Sequence, residues 1–176
     1  RYSYGRQPEA ALWALCRFGD CFVPFVSSNK LEEILNHFYE ELEKCISRRL
    51  MWRLGFEKEK KEKEILFSRL FFKVVKEKQF EWNKMFFDLY AGNINLEKNE
   101  YLKEKDCEEM LEVLREFKSR HIDLSTPKKM LKFKDLYLDI DNVELVWNDI
   151  YKFDDWNSFY RLIRKIRNFK KILLSN

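Results

Sequence analysis

Apolar residues recur every three to four positions along most of the chain, which is the spacing of amphipathic helices. Alternation of apolar and polar residues does not persist beyond a few positions, so strands are not indicated. Gly and Pro number only 4 and 3, which leaves few marked turns and favours long helices. The pattern predicts an all-α fold, an irregular bundle of about seven or eight helices.

The longest uninterrupted pattern begins near Ser28 or Asn29 and ends at Leu54. Asn29 with Glu32 resembles a capping box, and Gly55 suits the position just after the helix. A single helix here would be about 38 Å long at roughly 1.5 Å per residue and would form the spine of the fold. We expect three residues of its apolar stripe to be buried, namely Leu35, Phe38 and Leu42.

Shorter patterns predict the remaining elements. Residues 1–6 should be extended, and Pro8 suits the first turn of a helix that ends near Pro24. Asp106 with Glu109 repeats the capping pattern at the start of another helix, whose expected apolar stripe is Cys107, Met110, Leu111, Leu114 and Phe117. The other expected helices span 58–75, 80–90, 106–117, 130–138, 143–153 and 156–174, with a turn at Ser125-Thr126-Pro127 and a polar loop at 91–105.

Length and composition indicate one globular region, residues 1–176. The formal net charge of +4 comes from 34 basic and 30 acidic side chains, a mixed surface that does not indicate nucleic acid. No run of about 18 apolar residues is present, so no membrane span is expected. We expect a cytoplasmic protein whose cysteines are buried thiols. Cys16 and Cys21 should not form a disulfide with each other, because about 7.5 Å along the helix axis separates them.

Candidate chemistry is sparse. The chain has no Gly-rich phosphate loop and no kinase-type Lys–Glu or His-Arg-Asp arrangement. Residues 139–144 resemble a calcium loop at first sight, but Val143 and Glu144 stand where a ligand and a turn glycine belong, so they predict a polar helix entry. His37 and His121 lack partner residues for catalysis. We therefore assign no catalytic, cofactor-binding or metal-binding residue.

The last predicted helix is basic and amphipathic. We interpret its basic residues as a solvated outer face, with binding to anionic membranes or nucleic acid as the less favoured alternative. These residues are Arg161, Arg164, Lys165, Arg167, Lys170 and Lys171. The five tryptophans are interpreted as core or domain-contact residues, and they are Trp13, Trp52, Trp82, Trp147 and Trp156.

Three marks near the start of the chain resemble one known family. Residues 1–8 read Arg-Tyr-Ser-Tyr-Gly-Arg-Gln-Pro, Trp13-Ala14-Leu15 follows, and Arg53-Leu54-Gly55 closes the long helical pattern. In order and spacing they resemble segments of the selenoprotein O (YdiU) family of protein adenylyltransferases. The resemblance is strongest over residues 1–56 and becomes faint beyond about Tyr90. Ala14 and Gly19 depart from the family's usual residues, and its Asn-Pro-x-x-x-Leu-Arg-Asn segment is missing.

The resemblance implies a C-terminal helical part of a kinase-like fold. Residues 1–8 would be the extended end of an activation segment, 9–90 family-like helices, 91–105 a loop and 106–176 divergent helices. The family transfers AMP from ATP to protein hydroxyls with Mg or Mn, and its catalytic residues would all precede Arg1, in a kinase-like lobe of the same polypeptide. This chain, an excised segment or a truncated gene product, would then be an inactive scaffold that meets a protein substrate.

A second interpretation comes from a different class of protein. The chain could be a stand-alone helical interaction module whose basic C-terminal helix binds an acidic partner. The opening segment separates the two interpretations, since residues 1–8 have meaning only as the tail of an activation segment.

Overall fold

The computed structural model describes residues 3–92, 94–97, 99–120, 129, 131–133, 136 and 138–174. Helices dominate these residues, and the β-type pairing among them is limited to an isolated bridge between Phe56 and Ser119. The all-α prediction is confirmed for this part of the chain. The α-helices are α1 (Gln7–Asp20), α2 (Ser28–Asn36), α3 (Phe38–Arg53), α4 (Lys61–Lys78), α5 (Trp82–Asp88), α6 (Lys105–Arg115), α7 (Ile140–Phe153) and α8 (Asn157–Leu174).

Short 3-10 turns complete the described elements. They lie at Tyr4–Arg6, Tyr90–Gly92, Glu100–Lys103 and Leu131–Phe133. The predicted turn at residues 125–127 and most of the predicted helix at 130–138 lie outside the described residues. No described helix has both the length and the apolar composition needed to cross a membrane.

The long apolar pattern forms two helices, so the prediction of one continuous spine was wrong. α2 ends at Asn36, and the N–H of His37 donates to the carbonyl of Ile34 at 3.3 Å, three residues back rather than four. This tighter 3-10 geometry interrupts the α-helical ladder before α3 begins. His37 keeps a right-handed backbone (φ −81°, ψ −5°), and α3 begins at the next residue, so the break takes up a single position.

Local backbone geometry also corrects three predictions at helix starts. Tyr4–Arg6 is a 3-10 turn rather than extended, because the N–H of Arg6 donates to the carbonyl of Ser3 at 2.9 Å. α2 begins at Ser28, as predicted, but its N-cap position is Ser27, and the N-cap position of α6 is Glu104; neither side chain forms a capping hydrogen bond. Both residues have the extended backbone of an N-cap, whereas the predicted caps at positions 28 or 29 and 106 are already helical. Pro8 lies in the first turn of α1, as predicted.

The chain forms two compact units, Arg1–Ser47 and Arg48–Asn176. In the first, α1 and α2 pack together, and a Cβ at Gly19 would lie 3.9 Å from Leu35 Cδ1. The described residues of this unit include no fully buried apolar side chain, and Trp13 is 66% exposed. So few helical turns cannot enclose a core. The expected burial was therefore wrong for three residues that are only half-buried, Leu35, Phe38 and Leu42.

The fully buried core lies in the second unit. It is built from the end of α3, from α4 and α5, and from α6, which packs against α4. Rings of Phe67, Phe71, Phe86 and Phe117 approach one another with centroid separations of 5.5 to 6.0 Å. The stripe predicted for α6 is confirmed, since every member is buried: Cys107, Met110, Leu111, Leu114 and Phe117.

α7 and α8 form a helical hairpin in the same unit. The Oδ1 of Asp139 accepts a hydrogen bond from the Asn142 N–H at 2.9 Å, which confirms the polar helix entry predicted there. The chain reverses at Asp154, whose φ is 49°. In α8, the Phe169 ring lies 6.3 Å from Phe87 and 5.5 Å from Phe133, centroid to centroid. Those contacts join the hairpin to the rest of the unit.

Two predictions about burial were wrong in part. Among the described tryptophan side chains none is fully buried, so the core alternative is wrong for Trp13, Trp52, Trp147 and Trp156, and the domain-contact alternative stays a prediction. The side chain of Trp82 lies outside the described part. Of the four cysteines, all of them free thiols, Cys107 is buried, while Cys21 and Cys45 are exposed.

Candidate functional site

The turn after α3 carries the Arg53-Leu54-Gly55 motif. Gly55 has a φ of +81°, a left-handed conformation that glycine adopts without steric cost. Its N–H donates to the carbonyl of Trp52 at 3.1 Å, and the N–H of Phe56 donates to the carbonyl of Met51 at 3.1 Å. These two bonds are those of a Schellman motif, so Gly55 ends the helix as predicted.

Two distant segments attach to this turn through backbone hydrogen bonds. The Ala91 N–H donates to the carbonyl of Leu54 at 2.7 Å, and the Arg120 N–H donates to the carbonyl of Gly55 at 2.8 Å. The Glu57 N–H donates to the carbonyl of Lys118 at 2.9 Å. Buried carbonyls need such partners. The glycine turn is therefore the point where three segments, far apart in sequence, are joined.

A cluster of two arginines and two aromatic side chains surrounds the turn. The guanidinium carbon of Arg49 lies 4.1 Å from the ring centroid of Trp52, and that of Arg120 lies 4.9 Å from it, both within cation–π range. Arg120 also hydrogen-bonds the hydroxyl of Tyr90. Burial raises the pKa of Tyr90, and the Arg120 hydrogen bond opposes that rise. Nε and Nη2 of Arg120 are buried without a hydrogen-bond partner among the described residues.

A second polar cluster joins α5 to the segment before α6. Asp88 Oδ2 accepts hydrogen bonds from the Tyr101 hydroxyl and from Lys84 Nζ, each at 2.5 Å. Lys84 Nζ also donates to Asn99 Oδ1 at 3.2 Å and lies 4.0 Å from the Tyr101 ring centroid. Burial, then the bond to Asp88, raises the pKa of Tyr101 above its usual range. A neutral tyrosine donating to a carboxylate is a structural link rather than a nucleophile.

An ion pair between a half-exposed arginine and a buried carboxylate lies at the start of α4. Glu64 is almost fully buried, and its Oε1 accepts hydrogen bonds from Arg48 Nη1 at 2.7 Å and from the Glu59 N–H at 3.0 Å. Both bonds compensate for removing the carboxylate from water. Because Glu64 is satisfied by these partners, we interpret it as a structural residue.

A groove open to solvent follows one face of α8, and all of its described lining residues belong to that helix. Its volume is about 770 Å³, and it is lined by Tyr160, Ile163, Arg164, Arg167, Asn168, Lys170, Lys171 and Leu174. The basic side chains predicted for this helix are exposed, in agreement with the outer-face interpretation. In the described range 138–174, none of them forms an ion pair with a carboxylate.

The structure shows no metal-ligand cluster within the residues that it describes. No three His, Cys, Asp or Glu side chains among them lie close enough to hold a metal ion. His37 is exposed, with Nδ1 3.6 Å from Glu40 Oε2, and His121 lies outside the described residues. No step of a transfer reaction is therefore assigned to these residues, and the absence of catalytic residues stays a prediction.

Sequence reasoning missed the cluster around Trp52. Arg49 and Trp52 are three positions apart on α3, so a helical contact between them could have been predicted. Tyr90 and Arg120 carry no local signal, because only the folding of distant segments onto the glycine turn brings them to this tryptophan.

In its described part this is an α-helical protein, and the Schellman-type helix end at Gly55 lies between two core residues, Leu54 and Phe56. The family follows from sequence comparison. A sequence model of the family described as "Protein adenylyltransferase SelO" matches residues 1–167, so the chain belongs to the SelO family. The match extends well beyond residue 90, where the motifs become faint.

A curated protein with a similar sequence also carries the YdiU name. The protein nucleotidyltransferase YdiU of Photobacterium profundum is 34% identical over 71 residues. The aligned region covers 40% of this chain and 14% of the relative, so the chain spans a small part of that protein's length. No solved structure matches the chain.

Proposed function

We propose that this chain is a C-terminal scaffold segment of a SelO/YdiU-like enzyme that transfers AMP from ATP to Ser, Thr or Tyr hydroxyls of proteins. The observation that carries the proposal is the family match over residues 1–167. The relative named as a protein nucleotidyltransferase supports the same chemistry. We place the enzyme in the cytoplasm.

The proposal separates scaffold from catalysis. Nucleotidyl transfer requires a phosphate cradle, a positioning cation and carboxylates that hold a divalent metal. No three His, Cys, Asp or Glu side chains among the described residues lie close enough to hold that metal. The proposal therefore assigns ATP, Mg or Mn and the catalytic groups to a kinase-like lobe upstream of Arg1 in the same polypeptide.

The local geometry suits a supporting role. The 3-10 turn at Tyr4–Arg6 continues directly into α1, with Pro8 in its first turn, so the chain direction after residue 6 is fixed. In the proposed enzyme, this chain direction sets the path by which the polypeptide leaves the activation segment. Within the second unit, the glycine turn holds three segments together and gives the helices a rigid base.

An assay with labelled ATP tests the proposal. The chain alone and a polypeptide extended upstream through the kinase-like lobe are incubated with Mg or Mn and a protein acceptor. The expected result is AMP transfer by the extended protein and none by the chain alone. Transfer by the chain alone, or an upstream sequence without a kinase-like lobe, would overturn the proposal.

The interaction-module interpretation remains the second candidate. The observation in its favour is the groove on α8, whose basic side chains are exposed and carry no ion pair within the described range 138–174. An extended protein that lacks transferase activity but retains partner binding through this groove would favour it over the first.

A further inference from the structure

Charge is divided between the two helices of the hairpin. The segment 139–155, which contains α7, carries one basic residue, Lys152, and six acidic ones, which are Asp139, Asp141, Glu144, Asp149, Asp154 and Asp155. α8 carries six basic residues and no acidic one. The hairpin therefore presents an acidic segment, of net charge −5 over residues 139–155, next to a basic helix, α8, of net charge +6.

The opposite charges of the hairpin form no ion pairs with one another. Within residues 138–174, no carboxylate lies within 4 Å of a lysine or arginine nitrogen. Arg164, Arg167 and Lys171 follow one another at i,i+3 and i,i+4 spacing on the groove face, where like charges disfavour an isolated helix. Both faces therefore gain from charges supplied by another surface.

The acidic helix also exposes a continuous apolar stripe. Ile140, Val143, Trp147 and Tyr151 recur at helical spacing and are between 45% and 75% exposed. The rings of Trp147 and Tyr151 stack with centroids 6.4 Å apart. Glu144 lies four residues after Ile140 and three before Trp147, so it borders this stripe. Such a stripe, edged by acids, is typical of a helix that lies in a groove.

The groove on the basic helix has the complementary composition. Tyr160, Ile163 and Leu174 supply apolar surface along it, and Arg164 and Arg167 add positive charge beside that surface. An acidic amphipathic helix can bury its apolar stripe there while its carboxylates meet the cations. The hairpin carries both halves of this match.

We propose that two copies of the chain dimerise through this hairpin, with α7 of each copy lying in the α8 groove of the other. A two-fold axis makes the two contacts equivalent, so one arrangement covers both stripes and neutralises both charged faces. A membrane surface or a nucleic acid would satisfy the basic groove and leave the acidic apolar stripe exposed. This inference does not depend on AMP transfer.

Sedimentation velocity on the purified chain provides the test. Measurements from about 1 to about 100 µM cover dissociation constants of the micromolar range. They are repeated at about 50 mM and about 500 mM salt, because exposed charge pairs are screened at the higher value. The expected result is a monomer–dimer equilibrium that weakens at high salt.

Charge reversal identifies the surface. Arg164→Glu with Arg167→Glu should weaken the dimer at least about tenfold, and Asp141→Lys with Glu144→Lys should do the same, because like charges then meet. Mixing the two variants should restore association as a heterodimer. A matched control, Arg161→Glu with Lys165→Glu, changes the same charges on α8 outside the groove and should leave the dimer intact. Thermal melts check that each variant is folded.

Three results would overturn the proposal. The first is a chain that stays monomeric over the whole range, which would leave these faces to the rest of the polypeptide or to another molecule. The second is a dimer that the reversals do not affect. The third is a mixture of reversed variants that fails to associate.

Discussion

Replacing Gly55 with alanine tests the glycine turn most directly. The backbone there has a φ of +81°, and a Cβ would lie 3.0 Å from Tyr90 Cζ, 3.1 Å from Cε2 and 3.3 Å from the hydroxyl oxygen. The left-handed backbone costs a non-glycine residue about 1–2 kcal/mol. Displacing the buried Tyr90 ring adds about 1–3 kcal/mol, the usual cost of overpacking. We expect Gly55→Ala to lower the free energy of unfolding by about 2–5 kcal/mol.

Gly92 offers a matched control for the strain alone. Its φ is +72°, but a Cβ there would meet the Phe56 ring no closer than 3.7 Å, an ordinary contact. Gly92→Ala should therefore cost only the backbone term, about 1–2 kcal/mol. Urea unfolding followed by tryptophan fluorescence gives both values. The difference between the two variants measures the clash at Tyr90.

A double-mutant cycle separates the clash from other effects of the substitution. In a Tyr90→Leu background the ring is gone, so adding Gly55→Ala should cost no more than Gly92→Ala does. If Gly55→Ala were as mild as Gly92→Ala in the wild-type background, the steric argument would be wrong. The same holds if Tyr90→Leu failed to reduce the cost.

Two further predictions concern the polar clusters. Arg48→Met should lower the free energy of unfolding by about 1–3 kcal/mol, because the buried Glu64 carboxylate loses a charged hydrogen bond; the loss is limited because Arg48 is half-exposed. Arg48→Lys should recover part of the lost stability. Equal stability of the wild type and both variants in urea unfolding would contradict the structural role of this ion pair. The folded-state pKa of Tyr101 is raised, so its contribution to stability is complete below its ordinary pKa of about 10 and declines as the pH rises above that value. Tyr101→Phe should therefore show a shallower loss of stability above about pH 10 in chemical unfolding, and identical slopes would refute the assignment.

Several features of the fold could be predicted from the sequence because their causes are local. The α6 stripe is spaced so that one helix face is apolar, and that face is buried. Gly55 follows a long helical pattern, and it ends the helix with a positive φ. Asp139 stands before an apolar pattern and caps α7 through its side chain. In each case the residues that decide the structure belong to one helix or to its end, and successive ones lie within about one helical turn of each other.

Other features depend on which segments meet in space. The apolar pattern through His37 did not reveal the break between α2 and α3, because periodicity is the same on both sides of a 3-10 step. The same pattern is half-buried at Leu35 and fully buried at Leu54, because Leu54 lies in the core of the second unit, whereas the described residues of the first unit enclose no core of their own. Burial is a property of the neighbouring elements, and the spacing of apolar residues does not identify those neighbours.

The cluster at the glycine turn shows the same division. The turn could be predicted from the glycine alone, since glycine adopts the left-handed backbone at least cost. The packing of Tyr90 where a Cβ would be, and the contacts of Arg120 with Tyr90 and Trp52, follow only from the folding of distant segments onto the turn. Those contacts join residues that are far apart in the sequence, and their stability depends on the whole core that brings the segments together.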